Sequence, residues 1–414
     1  MNLCFQFLTL LKSKTFIFIS FIVFLLNSCS NETFKNTNLN LYVHDEVKLN
    51  FLIYMAGDNN LERFGIQNIK ALQEIGSPES CNILVLFDRS GGYDRTEENW
   101  SNTKLFLISK NPENMNDDCI YNFEEMDMTS VNSLYDFLDL TNKYFPAKHT
   151  VLDLWSHGRG VYPDGKIGRS IIEDYTTGYG ADTMMSVCNL AECIKKYEKN
   201  NNKKIDIILF DACYMQMIEI CYQLKDLCDY VIGAETSIPG VGYNYKNIAT
   251  YLNASDFTIK EIASFLANAT SSASVDYSYS SIDTSFLDDF VIEFNKFCKE
   301  LLEYPYYEVI EKRLSMKNIT SVYPEFVDLY EFIFYFSETD GQSELLNVLD
   351  KLIINTNSIG AFEDKTKGLS INFPYDESEI IFYKAVNEYY EQLDFYEDSC
   401  FDEFLLQIWQ NLEN

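Results

Sequence analysis

Residues 204–219 read K-I-D-I-I-L-F-D-A-C-Y-M-Q-M-I-E, and the fold turns on how this stretch is understood. Ile205, Ile207, Ile208, Leu209 and Phe210 make a short apolar run, rich in β-branched side chains, of the kind shown by a strand buried on both faces. Asp211, Ala212 and Cys213 stand where the run ends. Beyond them Met215, Met217, Ile218, Cys221, Tyr222, Leu224 and Cys228 recur at helical spacings, which predicts an amphipathic helix starting directly after the cysteine. In an open α/β sheet, ligands and chemistry gather at the carboxyl ends of the strands. Cys213 is therefore the first residue to examine for chemistry.

The same grammar repeats on either side. Strand-like runs at 47–55, 81–88, 104–109, 149–156 and 229–235 alternate with helical patterns at 61–75, 130–143 and 184–200. Strands alternating with helices predict an α/β fold: a mainly parallel central sheet with helices on both faces. Residues 47–255 form its core. Residues 256–414 bring helical patterns at 259–269, 289–302, 325–336, 345–355 and 394–410, with strands near 277–279 and 368–374. They are expected to complete the sheet and add a smaller C-terminal helical subdomain.

The first 28 residues read as a leader. Lys12 and Lys14 precede an apolar run from Phe16 to Leu26 that is too short for a membrane span and is followed by Asn27-Ser28-Cys29, the pattern of a secretory signal. Leu26-Asn27-Ser28-Cys29 resembles a bacterial lipobox, in which Cys29 is lipidated, and the polar residues 29–46 serve as a tether. The expected location is the envelope or surface of a bacterial cell, on a lipid anchor. The chain carries 63 acidic and 32 basic side chains, net −31, and loss of the leader removes two lysines and no acids. Nucleic acid is excluded as a partner, because binding it needs clustered positive charge. Eleven cysteines would raise disulfides in an exported chain. None shows C-x-x-C spacing, though, and Cys188, Cys193, Cys221 and Cys228 fall in apolar helical patterns, where cysteine packs as a small hydrophobe. Three histidines, His44, His149 and His157, are too few and too scattered for a clustered zinc site.

His157 follows one buried strand, between Ser156 and Gly158, and Cys213 follows another 56 residues later. A thiol gains nucleophilicity from a nearby histidine and from a helix N-terminus, and both are expected at Cys213. The backbone N–H groups of Gly158 and Cys213 could stabilise a tetrahedral oxyanion. Read on the residues alone, a Cys/His dyad stands beside a buried cysteine and a surface histidine.

The segments LDLWSHGRG (152–160) and IDIILFDACYMQMIEI (205–220) resemble the two signature motifs of the clostripain family of cysteine peptidases, which have a caspase-like fold. YMAGDNNL (54–61), GAETSIPGVGY (233–243) and GLSINFP (368–374) resemble further family segments, so the similarity runs from about residue 48 onward. It implies a monomeric cysteine endopeptidase that cuts proteins or peptides after Arg or Lys, with His157 and Cys213 catalytic. It also implies Asp211 in the pocket for the residue before the cut, and Glu235 as a second pocket residue. A carboxylate there would pair with a guanidinium or ammonium group. Asp174 lies in a stretch that also resembles a family loop. Family members are often zymogens cut in the loop after the histidine, which points to self-cleavage after Lys166 or Arg169. Some relatives depend on calcium. No EF-hand-like pattern occurs here, and no cofactor is expected apart from that opening for Ca2+. Two other readings remain at this stage: a non-catalytic acidic surface lipoprotein that binds a basic protein, and a transpeptidase or ligase on the same scaffold.

Overall fold

The strand read from residues 205–210 lies near the middle of a nine-stranded sheet. The computed structural model describes residues 43–161, 170–176, 184–254, 256–271, 276–336, 339–363, 366–374 and 392–412. The strands are β1 (Val47–Gly57), β2 (Cys81–Arg89), β3 (Thr103–Leu107), β4 (Cys119–Asn122), β5 (Ala147–Trp155), β6 (Ile207–Asp211), β7 (Tyr230–Ala234), β8 (Tyr277–Asp283), β9 (Phe326–Asp328), β10 (Ile353–Ile359) and β11 (Ser370–Asn372). The large sheet has the order β10-β8-β7-β6-β5-β1-β2-β3-β4, and β9 pairs with β11 in a small second sheet. Strands β2, β1, β5, β6 and β7 are mutually parallel. The outer strands β3, β4, β8 and β10 run antiparallel to their neighbours.

The parallel strands are buried on both faces, which is why they read as unbroken apolar runs. On one face Phe51, Ile53, Val85, Val151 and Leu209 pack against Ile66, Ile69 and Leu72 of α1 (Glu62–Gln73). On the other, Tyr54 packs at a tilt against Phe137 of α2 (Val131–Tyr144). Ser130 caps α2 by accepting from Asn132 N–H, as its position before the apolar repeat predicts. Helix α3 (Val187–Asn201) has the same device in Ser186.

Two expectations are corrected. The helix after Cys213 does not begin there: α4 (Ile218–Gln223) starts five residues later and is short. Tyr214 has φ 61, a left-handed conformation that a helix start does not use. Tyr214 N–H and Gln216 N–H instead donate to Thr236 and Ala234 carbonyls, at 3.0 and 3.1 Å, beside the end of β7. Sheet-like pairing takes the segment that periodicity assigned to a helix. Likewise, the helix expected over 345–355 stops at Leu352, and the chain continues as edge strand β10 against β8.

Past the sheet, α5 (Tyr245–Ala254) and α6 (Ile259–Leu266) join the layer formed by α1. At the end of β2, Arg89 is fully buried and its Nε donates to Glu62 Oε1 at 2.7 Å. Glu62 Oε2 accepts from Ser90 Oγ and from the N–H groups of Tyr93 and Asp94, so both carboxylate oxygens of this buried pair are engaged. Removing one partner strands the other charge. Glu62→Ala is expected to cost about 3–5 kcal/mol in a urea unfolding titration, well beyond a surface Glu→Ala control.

Candidate active site

Parallel pairing sets Trp155 of β5 opposite Asp211 of β6. His157 and Cys213, each two residues further on, therefore leave the sheet side by side. The two turns touch through backbone: a Cβ on Gly158 would lie 2.4 Å from the Cys213 carbonyl oxygen and 2.9 Å from Ala212 Cβ. Only glycine fits that approach. A cavity of about 120 Å³ opens here, lined by Leu61, Trp155, His157, Asp211, Cys213 and the Ile238–Gly240 segment among others.

Cys213 is half-buried. Its Sγ accepts the Ile238 N–H at 3.3 Å, a bond that favours the thiolate. Burial outweighs it and, with Asp211 nearby, pushes the thiol above its ordinary value. His157 is shifted the other way: desolvation lowers it, Glu173 opposes that, and Arg159 adds to it. The resting pair is thus a neutral thiol and a neutral imidazole. No hydrogen bond joins them among the described residues. His157 Nε2 lies 2.6 Å from Asn60 Oδ1 and 3.7 Å from Glu173 Oε2. The amide oxygen can only accept, so Nε2 carries the proton and Nδ1 the lone pair. Among the described residues, neither Gly158 N–H nor Cys213 N–H meets an acceptor.

Asn60 and Glu173 were not singled out from the sequence, although Asn60 sits inside the quoted YMAGDNNL segment. Their support is a compact polar knot. Asn59 Nδ2 donates to Ala56 O and Glu173 O at 3.0 and 2.9 Å, and Glu173 N–H donates to Ser156 Oγ at 3.1 Å. Ser156, the residue before His157, thereby ties the incoming loop to the sheet.

Asp211 is buried and lines the cavity. Its Oδ2 accepts from Tyr245 Oη at 2.8 Å and from Tyr243 N–H at 3.3 Å, and burial pushes its pKa up to about 7. Gly242 (φ +60) packs on this carboxylate so closely that a Cβ would fall 2.1 Å from Oδ1. Glu235 is a correction. It is fully buried and does not line the cavity; its surroundings are Ser278, Thr366 and Asp328. The chain turns its side chain toward β8 as Glu235 N–H donates to Ser278 O. Burial and the Asp328 charge push its carboxyl well up. Lys166 and Arg169 lie outside the described residues, as does Cys29. All nine described cysteines are free.

Asp174 joins Asp58 and Asp88, the three offering carboxylate oxygens within 4.8 Å of one another. All three are buried. Asp174 accepts Met128 N–H and Thr176 N–H at 2.7 and 2.9 Å, while Asp88 Oδ2 has no partner among the described residues. Burial pushes Asp88 well up and Asp174 up to about 7. An all-carboxylate donor set of this kind suits a hard cation such as calcium.

The family model described as the clostripain family matches residues 53–409. The chain belongs to the clostripain family of cysteine peptidases. Clostripain of Hathewaya histolytica is 26% identical over 239 residues, 52% of this chain and 44% of that protein, so the chain spans less than half the length of this curated relative. A secreted C11 cysteine protease from Bacteroides thetaiotaomicron, solved with an irreversible peptide inhibitor, has TM-score 0.66 at 20% identity, covering 86% of this chain and 99% of that one. An inactive zymogen C11 protease from Parabacteroides distasonis has TM-score 0.64 at 22% identity, with the same coverage. The clostripain-family chain thus has the caspase-like α/β fold expected from its motifs.

If Asn60 holds the imidazole of this clostripain-family site, Asn60→Ala should lower kcat by roughly one to two orders of magnitude with little change in KM. Steady-state hydrolysis of an arginyl-fluorophore peptide measures it.

Proposed function

We propose that this chain is an endopeptidase that cuts after arginine or lysine, with Cys213 as nucleophile and His157 as its acid–base partner. The observation that carries the reading is that one cavity is lined by Cys213, His157 and Asp211 together. The substrate's basic side chain pairs with Asp211, and the carbonyl that follows approaches Sγ. Cys213 adds to the carbonyl carbon as its proton passes to His157. The oxyanion is met by the free N–H groups of Gly158 and Cys213. The imidazolium then protonates the departing amine, the C–N bond breaks, and the acyl-thioester remains. Water, deprotonated by His157, releases the acid and regenerates the thiol.

The neutral resting pair fits this order, since ionisation follows substrate arrival. Cys213→Ala should abolish hydrolysis and Cys221→Ala should not. An arginyl acyloxymethylketone should label Cys213, and an unlabelled wild-type protein would favour the binding-protein alternative. Product analysis with an added amine separates hydrolysis from peptide transfer. Asp211 is raised to about 7 and binds a cation only when ionised. Preference for arginine over its neutral isostere citrulline should therefore grow from about pH 6 to about pH 8, as the ratio of the two kcat/KM values.

Self-processing after Lys166 or Arg169 belongs to the same proposal, supported by the zymogen state of the Parabacteroides distasonis protein. Intact-mass measurement should find wild type as two fragments and Cys213→Ala uncut; equal masses apart from the substitution would sink the idea. Export with lipid on Cys29 is read from the leader alone. The seat we assign to any calcium is the Asp58–Asp88–Asp174 cluster, and calorimetric titration of EDTA-treated protein should show one bound Ca2+, lost in Asp88→Asn.

A further inference from the structure

Asp153 lies two residues before Trp155 on β5, beside Leu209 of β6, and is fully buried. Nothing in the proposed chemistry uses it. Its Oδ2 is 2.7 Å from the Tyr245 hydroxyl, and the same hydroxyl is 2.8 Å from Asp211 Oδ2. A phenol has one proton to donate. Two ionised carboxylates cannot both be satisfied by it, and in a dry site their mutual repulsion adds to the cost. One of the two must carry a proton and donate it to the phenol oxygen.

The surroundings decide which. Asp211 has a second donor in Tyr243 N–H and faces the cavity. The other oxygen of Asp153 is buried without a partner among the described residues. We propose that Asp153 is permanently protonated and donates to Tyr245, which donates to Asp211, so that a three-residue chain holds the pocket's negative charge on Asp211. Asp153 is thereby a positioning residue for substrate selection. The inference rests on the reading of Asp211 as the pocket carboxylate.

The other groups around Asp211 agree with this distribution. Cys213 stands just beyond it, Tyr243 comes from the segment leading into α5, Tyr245 is the first residue of α5, and Tyr279 comes from β8. Burial pushes all three phenols well above their ordinary value and raises the thiol, so none competes for the charge. Burial first, and then the Asp211 charge, push Asp153 well up. His157, lining the same cavity, is neutral at rest.

The test combines infrared spectroscopy with steady-state kinetics on arginyl and citrullyl peptide substrates. In the wild type at about pH 8, a protonated-carboxyl stretch should be present that is missing from Asp153→Asn. Asn can donate to Tyr245 as the acid does, so this variant should keep KM for arginine within about twofold. It should also keep the pH midpoint of the arginine-to-citrulline ratio. Tyr245→Phe removes a donor from Asp211 and should raise the arginine KM about tenfold and move the midpoint upward, with citrulline kinetics unchanged. A midpoint that falls in Asp153→Asn would mean an ionised neighbour had been removed, and overturns the proposal. Absence of the infrared difference, or a Tyr245→Phe enzyme indistinguishable from wild type, overturns it too. Should Asp153→Asn fail to fold, the Tyr245→Phe kinetics decide. Asp211→Asn separates the two levels: if it keeps arginine preference, the pocket reading fails, while the infrared band still reports the proton on Asp153.

Discussion

The site depends on the parallel register of β5 and β6. With Trp155 opposite Asp211, the same number of residues carries both chains off the sheet, and His157 and Cys213 arrive together. Because side chains alternate along a strand, a slip of one residue would turn every β6 side chain to the opposite face. A slip would have to repack two layers at once: Ile207 and Leu209 are held in one layer with α1 and α5, and Ile208 and Phe210, which alternate with them, are buried as well. Gly158 completes the arrangement by letting its backbone rest on the Cys213 carbonyl. The proximity of His157 and Cys213 is set by backbone and core packing, and no side-chain bond between the two residues is needed.

Burial near the strand ends controls the electrostatics. Desolvation raises Cys213 and lowers His157, which disfavours a standing thiolate–imidazolium pair. The single bond from Ile238 N–H to Sγ is too little to reverse that. The same desolvation raises Asp88, Asp153, Asp174 and Asp211. Asp211 keeps two donors on Oδ2, Tyr245 Oη and Tyr243 N–H, which offset part of that cost. The large negative charge of the chain acts differently: it is screened by salt beyond about 10 Å and acts on any charged group that approaches the surface.

How much was legible follows from which forces leave marks in sequence. The buried parallel strands were readable because both faces are apolar, and His157 and Cys213 because they end such strands. The helix expected at Cys213 failed because Met215 and Met217 are apolar for another reason: they are buried where the chain pairs with the end of β7. Periodicity cannot tell that burial from a helix face. Edge strand β10 was lost because Thr356, Asn357 and Ser358 carry no apolar alternation. Glu235 is implied as a pocket residue by the family resemblance, but its carboxyl is buried beside Ser278, Thr366 and Asp328, a tertiary setting that sequence does not record. Asn60 and Tyr245 reach their partners His157 and Asp211 by side-chain hydrogen bonds across long separations, 97 and 34 residues, and no local pattern announces such pairs.

The described flanks of the loop after the histidine are bonded to each other and to the body of the fold. On the near side, Arg159 N–H donates to Ser170 O, and Gly160 and Val161 rest on Met217, with Val161 N–H 3.3 Å from its sulfur. On the far side, Ser170 and Ile171 exchange backbone bonds with Met185. Glu173 is tied to Ser156 and Asn59, and Thr176 Oγ1 to Asp58 at 2.6 Å. Lys166 and Arg169 lie between these two anchorages. A cut at either residue would therefore break the chain without releasing the flank that carries His157 or the flank that carries Glu173. The strained Ile172, a β-branched residue at φ 69, shows that this second flank is set by its contacts rather than by local preference. The groups that position the imidazole, Asn60 and Glu173, would stay in place after such a cut.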